Sequence, residues 1–79
     1  MRIELYEQVA LRTDLPDESL RRGDIATLVE YVPHPESGEE GCILEIFNAV
    51  GESIAVVTVP VSVIEPLRAN EILSVRPLA

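Results

Sequence analysis

Few side chains in this chain have the type and spacing to do chemistry. His34 is the sole histidine among 79 residues, set between Pro33 and Pro35, and Cys42 is the sole cysteine. A zinc site needs three or four nitrogen, sulfur or carboxylate ligands in a fixed geometry. One imidazole and one thiol eight positions apart do not supply it, so no metal ion is expected and His34 reads as an exposed loop residue. Cys42 shares its parity with Leu44 and Ile46 and is expected to be buried and inert, with no neighbouring cation to lower its pKa. A Ser-His-Asp or Cys-His relay has no credible members. The four glycines never reach the spacing of a phosphate loop. Glu39-Glu40 and Asp17-Glu18 are paired carboxylates in polar loops, where both stay solvated and neither is tuned for acid catalysis. Residues 36–40 lack the alternating oxygens of a calcium loop. Arg22-Gly23-Asp24 spells the integrin-binding tripeptide and reads as a turn before a strand. The chain is therefore read as non-enzymatic, with no cofactor.

The elements that must position these residues are short. Seventy-nine residues make one domain, which buries only about 60–65% of its unfolded surface. Val, Ile and Leu number 26, too many for disorder. The longest apolar stretch, residues 54–63, is broken by Thr58, Pro60 and Ser62. It falls far short of the ~20 residues of a membrane helix. The first residues lack the apolar core of a secretory signal, and one cysteine leaves no internal disulfide. The expected location is the cytoplasm.

Six prolines and four glycines cut the chain into pieces rich in Val, Ile and Thr, which favours strands. Residues 3–11 read as a first strand, bent near Glu7. A packed excursion over 13–24 follows, with Leu15 and Leu20 beneath it and one helical or 3₁₀ turn over 17–22. Further strands are expected at 25–32, 42–47 and 52–59, with an exposed loop over 33–41 and a hairpin turn at 48–51. In the second strand Ala26, Leu28, Glu30 and Val32 share one face. A 3₁₀ turn at 61–63 precedes a fifth strand at 64–67, which Pro66 confines to an edge. The tail holds one more candidate strand at 72–76. This order predicts an all-β fold, a small five-stranded SH3-like barrel over 1–67 with a C-terminal extension over 68–79. A closed barrel leaves no open sheet edge.

The run Glu4-Leu5-Tyr6-x-x-Val9-Ala10-Leu11-x-x-Asp14-Leu15-Pro16, continued by Leu20, Gly23-Asp24 and Thr27-Leu28-Val29-Glu30, carries a family resemblance. So does Glu52-x-Ile54-Ala55-Val56-Val57-Thr58-Val59-Pro60 with Pro66-Leu67 beyond it. Together they resemble a family of short bacterial proteins, frequent in cyanobacteria, catalogued as a domain of unknown function. Ala26 departs from the glycine expected before Thr27. The resemblance implies an SH3-like strand order and is compatible with one member of a two-protein pair of the toxin-antitoxin kind.

Charge bears on partners. Six arginines and no lysine stand against 14 acids, for a net charge of −8. Phosphate contacts need a basic surface, and Arg21-Arg22 is the only local positive cluster. Tyr6, Tyr31 and Phe47 are too few for a base-stacking platform. Nucleic acid and membrane are not expected as partners; a protein partner, of basic charge, is. A nucleic-acid- or ribosome-associated small β-barrel is the alternative, and a contiguous basic face around Arg21, Arg22 and Arg68 would mark it. The fourth strand is apolar on both faces, so Ala55, Val57 and Val59 are expected to need cover, supplied by Ile72, Leu73 and Val75 of the tail or by a neighbouring copy. These six residues are the expected interaction surface, with a homo-oligomer favoured.

Overall fold

Cys42, Leu44 and Ile46 alternate with more polar neighbours and build the middle of the sheet. They lie on β3 (Gly41–Phe47) and are all buried. β3 pairs antiparallel with β2 (Ile25–Val32) on one side and with β4 (Ser53–Pro60) on the other. β1 (Gln8–Leu11) lies between β2 and β5 (Ile64–Pro66). The sheet order is β4-β3-β2-β1-β5, all antiparallel. The computed structural model describes residues 2–33 and 38–78; His34 and the remainder of residues 34–37 lie outside them. Among the described residues no α-helix and no second sheet covers the apolar face. The sheet must therefore curl over itself, giving a small barrel-like all-β fold. Its single core draws Val9, Leu28, Leu44, Val57 and Ile64 from the five strands.

Two bulges set which residues reach that core. Leu28 lies opposite Leu44, but Glu30, not Val29, lies opposite Ile43. An unbroken register would place Glu30 opposite Cys42, inside the core. The extra residue, Val29, puts Tyr31 there instead and leaves Glu30 exposed. The second bulge falls between β3 and β4, where Phe47 faces Ser53 but Ile46 faces Ala55. Without it, Thr58 would lie opposite buried Cys42; with it, Val59 does. Each bulge thus exchanges a polar residue for an apolar one in the interior, where an unpaired polar group costs several kcal/mol.

The second bulge takes the strand half of the expected interaction surface, Ala55, Val57 and Val59, into the core. Val57 and Val59 are each 6% exposed and Ala55 packs half-buried against the core, so the curled sheet covers these three, not the tail or a neighbour. Val56 is the residue left out, at 63% exposure. A one-residue slip flips every side chain of a strand to its other face.

The connections match the expected order, with shifted bounds. The excursion after β1 carries a 3₁₀ turn at Pro16–Glu18. Leu15 and Leu20 exchange backbone hydrogen bonds of 2.9 and 3.1 Å, and Leu20 is buried. Asn48 closes the β3–β4 turn, its Oδ1 accepting from the amides of Val50 and Glu52, and Gly51 supplies φ 87°. A second 3₁₀ turn, Val61–Val63, leads into β5. The first strand is shorter than expected, because the chain turns at residues 4–7: the Glu7 amide donates to the Glu4 carbonyl and Tyr6 takes φ 70°, leaving only the Tyr6 amide and the Glu7 carbonyl bonded to Leu28. Two further expectations fail. No backbone pairing joins β4 to β5 among the described residues, so both are open edges. Residues 72–76 form no strand; the ladder ends at Pro66, and beyond it, among the described residues, the one backbone hydrogen bond is local, from the Glu71 amide to the Arg68 carbonyl.

The bulged register makes a direct prediction for adjacent valines. Val57→Ala should cost about 2 kcal/mol of unfolding free energy, from lost burial plus the cavity. Val56→Ala should stay within about 0.5 kcal/mol. Urea unfolding of both variants checks this, and the reverse ranking would mean that the unbulged register is the native one.

Candidate functional site

The N-terminal end of β2, the C-terminal end of β3 and the start of β4 meet at one end of the sheet. The tail crosses over them, and the space between is a cleft of about 460 Å³. Its apolar wall comes from Ala26, Ile46, Phe47 and Ile54 on the strands and from Leu73, Val75 and Leu78 on the tail. Ile46 and Ala26 are buried core residues, so the cleft reaches to the edge of the interior. Phe47, Ile54 and the tail residues are exposed. An open apolar surface of this kind marks a contact site more often than not.

One ion pair holds the tail in place. The Arg76 guanidinium donates through Nε to Asp24 Oδ1 at 2.9 Å and through Nη2 to Asp24 Oδ2, a bidentate contact across 52 positions. Nη2 also reaches the Ser19 carbonyl at 3.0 Å, and Nη1 donates to the Pro77 carbonyl. Asp24 Oδ2 further accepts from the Arg21 amide at 2.8 Å. The Arg76 hydrogen bonds hold the Asp24 carboxyl below its ordinary range, against a smaller opposing effect of burial. Asp24 and Arg76 are the only titratable groups lining the cleft among the described residues, and they are paired with each other. An acid that stays ionised beside a guanidinium has no proton to give and little basicity to use. The arrangement can bind; it carries no acid–base pair.

The expected surface divides between two environments. Ala55, Val57 and Val59 belong to the interior, whereas Ile72, Leu73 and Val75 stand on the tail, exposed at 93%, 61% and 88%. Only Leu73 and Val75 of the six line the cleft. Asp24, Arg76, Phe47 and Ile54 carry the site without having been singled out for it. Arg76 is the one charge amid Ile72, Leu73, Val75 and Leu78, which hints at an anchor, but nothing in the sequence specifies Asp24 as its partner.

The remaining candidates have structural roles. Cys42 is fully buried, and desolvation followed by the charges of Glu40 and Glu39 pushes its thiol pKa up. Glu39 is not merely solvated: it accepts from the amide and hydroxyl of Ser62 at 2.8 and 2.9 Å. Glu40 takes Arg2 at 2.7 Å, and that guanidinium lies 3.6 Å from the centroid of the Tyr31 ring. No three His, Cys, Asp or Glu side chains come together to hold a metal ion among the described residues. A second cleft, of about 540 Å³, is lined by Arg21, Arg22 and Arg76 but also by Asp24, Glu65 and Glu71. Arg68 lies 3.7 Å from Glu65. The arginines are thus interleaved with acids. No helix of the described residues is long and apolar enough to cross a membrane.

Residues 5–66 match the family described as Domain of unknown function (DUF4926), and the chain belongs to that family. The match ends at Pro66, where β5 ends, so the tail and its arginine anchor lie beyond it. No curated protein and no solved structure matches the chain.

Two outcomes follow from this geometry. Cys42 should resist iodoacetamide in the native protein and react once the chain is unfolded, as mass spectrometry of the adduct would record; rapid native labelling would place the thiol outside the core. The second concerns pH. Because the folded-state pKa of Asp24 is lowered, its contribution is present above the unfolded-state value, near 3.8, and is lost as the pH falls through the folded value. Methyl resonances of Leu73 and Leu78 should stay at their docked shifts from neutral pH down to about 4 and move only below it. Asp24→Asn should release them at neutral pH; unchanged tail resonances in that variant would show that the ion pair does not hold the tail.

Proposed function

We propose that this family member is a small, cytoplasmic, non-enzymatic protein-interaction module on an SH3-like barrel, with the apolar cleft as its contact site. One observation carries the reading: the cleft pairs a broad apolar wall with an Asp24–Arg76 couple that is already neutralised. Such a surface gains free energy by burying an apolar side chain of a partner and has no group free to transfer a proton. The strand order supports the barrel. A long excursion follows the first strand, two hairpins follow, and a 3₁₀ turn precedes a last strand paired with the first.

The partner is a basic protein. Eight excess negative charges raise the association rate of a positively charged surface and slow that of a negative one. A pair of opposite charge and matched size, such as a bacterial toxin-antitoxin couple, is one arrangement of this kind. The arginines that could favour nucleic acid are offset by Asp24, Glu65 and Glu71 in the same cleft.

Two measurements test the reading. Affinity purification from the native cell, followed by mass spectrometry, should recover a basic protein whose association rate falls with added salt. Phe47→Ser should weaken its capture while leaving the circular dichroism spectrum unchanged. Fluorescence anisotropy with single-stranded DNA, double-stranded DNA and RNA should show no binding near physiological ionic strength, where the Debye length is ~8 Å. Micromolar affinity with a steep salt dependence would replace the protein partner with a nucleic acid or ribosomal one.

A further inference from the structure

The two open edges of the sheet differ. β5 is three residues long, contains Glu65 and ends at Pro66, and Glu65 has Arg68 beside it. Short length, charge and proline are the usual means by which an edge is kept from pairing. β4 is eight residues long and has none of them along its middle. From Ser53 to Ile64 no residue carries a charge, in a chain of net charge −8.

The register shows which backbone groups of β4 have no partner among the described residues. Val61 donates its amide to the Glu40 carbonyl at 3.0 Å, in line with the Cys42↔Val59 and Leu44↔Val57 pairs. Main-chain groups alternate sides along a strand. Val59 and Val57 therefore point theirs at β3, and Val56 and Thr58 point theirs away from it. Pro60, next in that outward series, has no amide to leave unpaired. Both Val56 and Thr58 are exposed. Of β4, only Ile54 lines the cleft beneath the tail, so the tail does not cover this edge.

We propose that the β4 edge pairs with the β4 edge of a second copy, antiparallel and two-fold symmetric about Val57. In this arrangement Val56 of each chain exchanges both backbone hydrogen bonds with Thr58 of the other. That register uses the free groups of both residues, four bonds in all by the pairing rule, and asks nothing of Pro60. Its outer-face pairs are β-branched, Val against Thr, a favoured cross-strand combination. Charge selects the occupant. β4 itself carries no acid for a basic strand to pair with, and Glu45, opposite Val56 on β3, already accepts from the Ser53 hydroxyl, whereas a second copy brings an equally neutral strand. The nearest charged residue preceding the edge, Glu52, falls opposite Ser62 of the other chain. The two Glu52 residues are then roughly 33 Å apart along the strands, at ~3.3 Å per residue, well beyond the ~8 Å Debye length. The dimer thus brings no charge of either β4 strand close to its axis. It does not depend on the cleft proposed above as the partner site.

Light scattering after size exclusion, over a range of concentrations, should give a dimer for the natural sequence. The variants V56K/T58K and V56E/T58E change only exposed side chains, and circular dichroism should show both folded. Each should lose the dimer at concentrations where the natural chain retains it, because four like charges then meet at the axis. Mixing the two variants in equal amounts should restore a dimer containing one of each. Amide exchange at Val56 and Thr58 should be slow in the natural dimer and fast in either variant alone. A natural chain that stays monomeric throughout overturns the proposal. So does a dimer that survives both charge variants, or one that is lost in Ile72→Ser/Val75→Ser while resisting V56K/T58K, which would assign the contact to the tail.

Discussion

The inward row of β3 is the constraint on which the other strands depend. Cys42, Leu44 and Ile46 have paired strands on both sides and no exposure to spare. Whatever lies opposite them must be apolar. An even ladder would bring Glu30 and Thr58 to Cys42 from the two flanks. Burying a carboxylate without a partner is prohibitive, and burying a hydroxyl without one costs a few kcal/mol. The two bulges re-phase β2 and β4 by one residue each and admit Tyr31 and Val59 instead. The extra residue leaves the ladder locally disrupted, a smaller loss than an unpaired buried polar group.

Much of the periphery follows from that re-phasing. Once Tyr31 turns toward the core, its hydroxyl donates to the Ile3 carbonyl at 2.6 Å and ties down the N-terminal segment. That places Arg2 over the ring and within reach of Glu40. Glu39 meanwhile satisfies the Ser62 amide at the 3₁₀ turn before β5. Asp14 accepts from the Arg22 amide, and Asp24 from the Arg21 amide, fixing the end of the long excursion. A domain of this size without a disulfide needs such ties, since its core alone supplies little surplus stability. Several of the acids that make the chain so negative are therefore backbone clamps, while others remain free to shape the outer field.

Element existence was legible in the sequence because it is local. Punctuation and parity located four of the five strands to within one or two residues, the 3₁₀ turn at Val61–Val63 and the burial of Leu20 and Cys42. The first 3₁₀ turn is shorter and earlier than the expected turn over 17–22, and Leu15 is only half-buried. Register was not legible. The faces of β4 read one residue out of phase because the bulge at Ile54 depends on what β3 presents across the ladder, information held on another strand. The first strand was drawn too long because the parity of Ile3 and Leu5 continues that of Val9, although the chain turns at Tyr6 with positive φ. The site suffered most. Its apolar tail residues were visible, but the Asp24–Arg76 pair joins positions 52 apart, and no local pattern encodes a contact of that span.

The same bulge also determines what the surface can offer. By turning Ala55, Val57 and Val59 inward it spends the larger apolar face of β4 on the core and leaves Val56 and Thr58, with their free backbone groups, outside. An edge of that character recognises a strand by hydrogen bonds and needs no charge. The cleft at the end of the sheet works differently, through buried apolar area under a tail held by one ion pair. The two surfaces meet only at Ile54, so occupying one does not block the other. A two-fold pairing along β4 would therefore carry two clefts in a single particle. A partner with two contact segments, or one that is itself two-fold, would gain from that arrangement through effective concentration alone, with no added contact at either cleft.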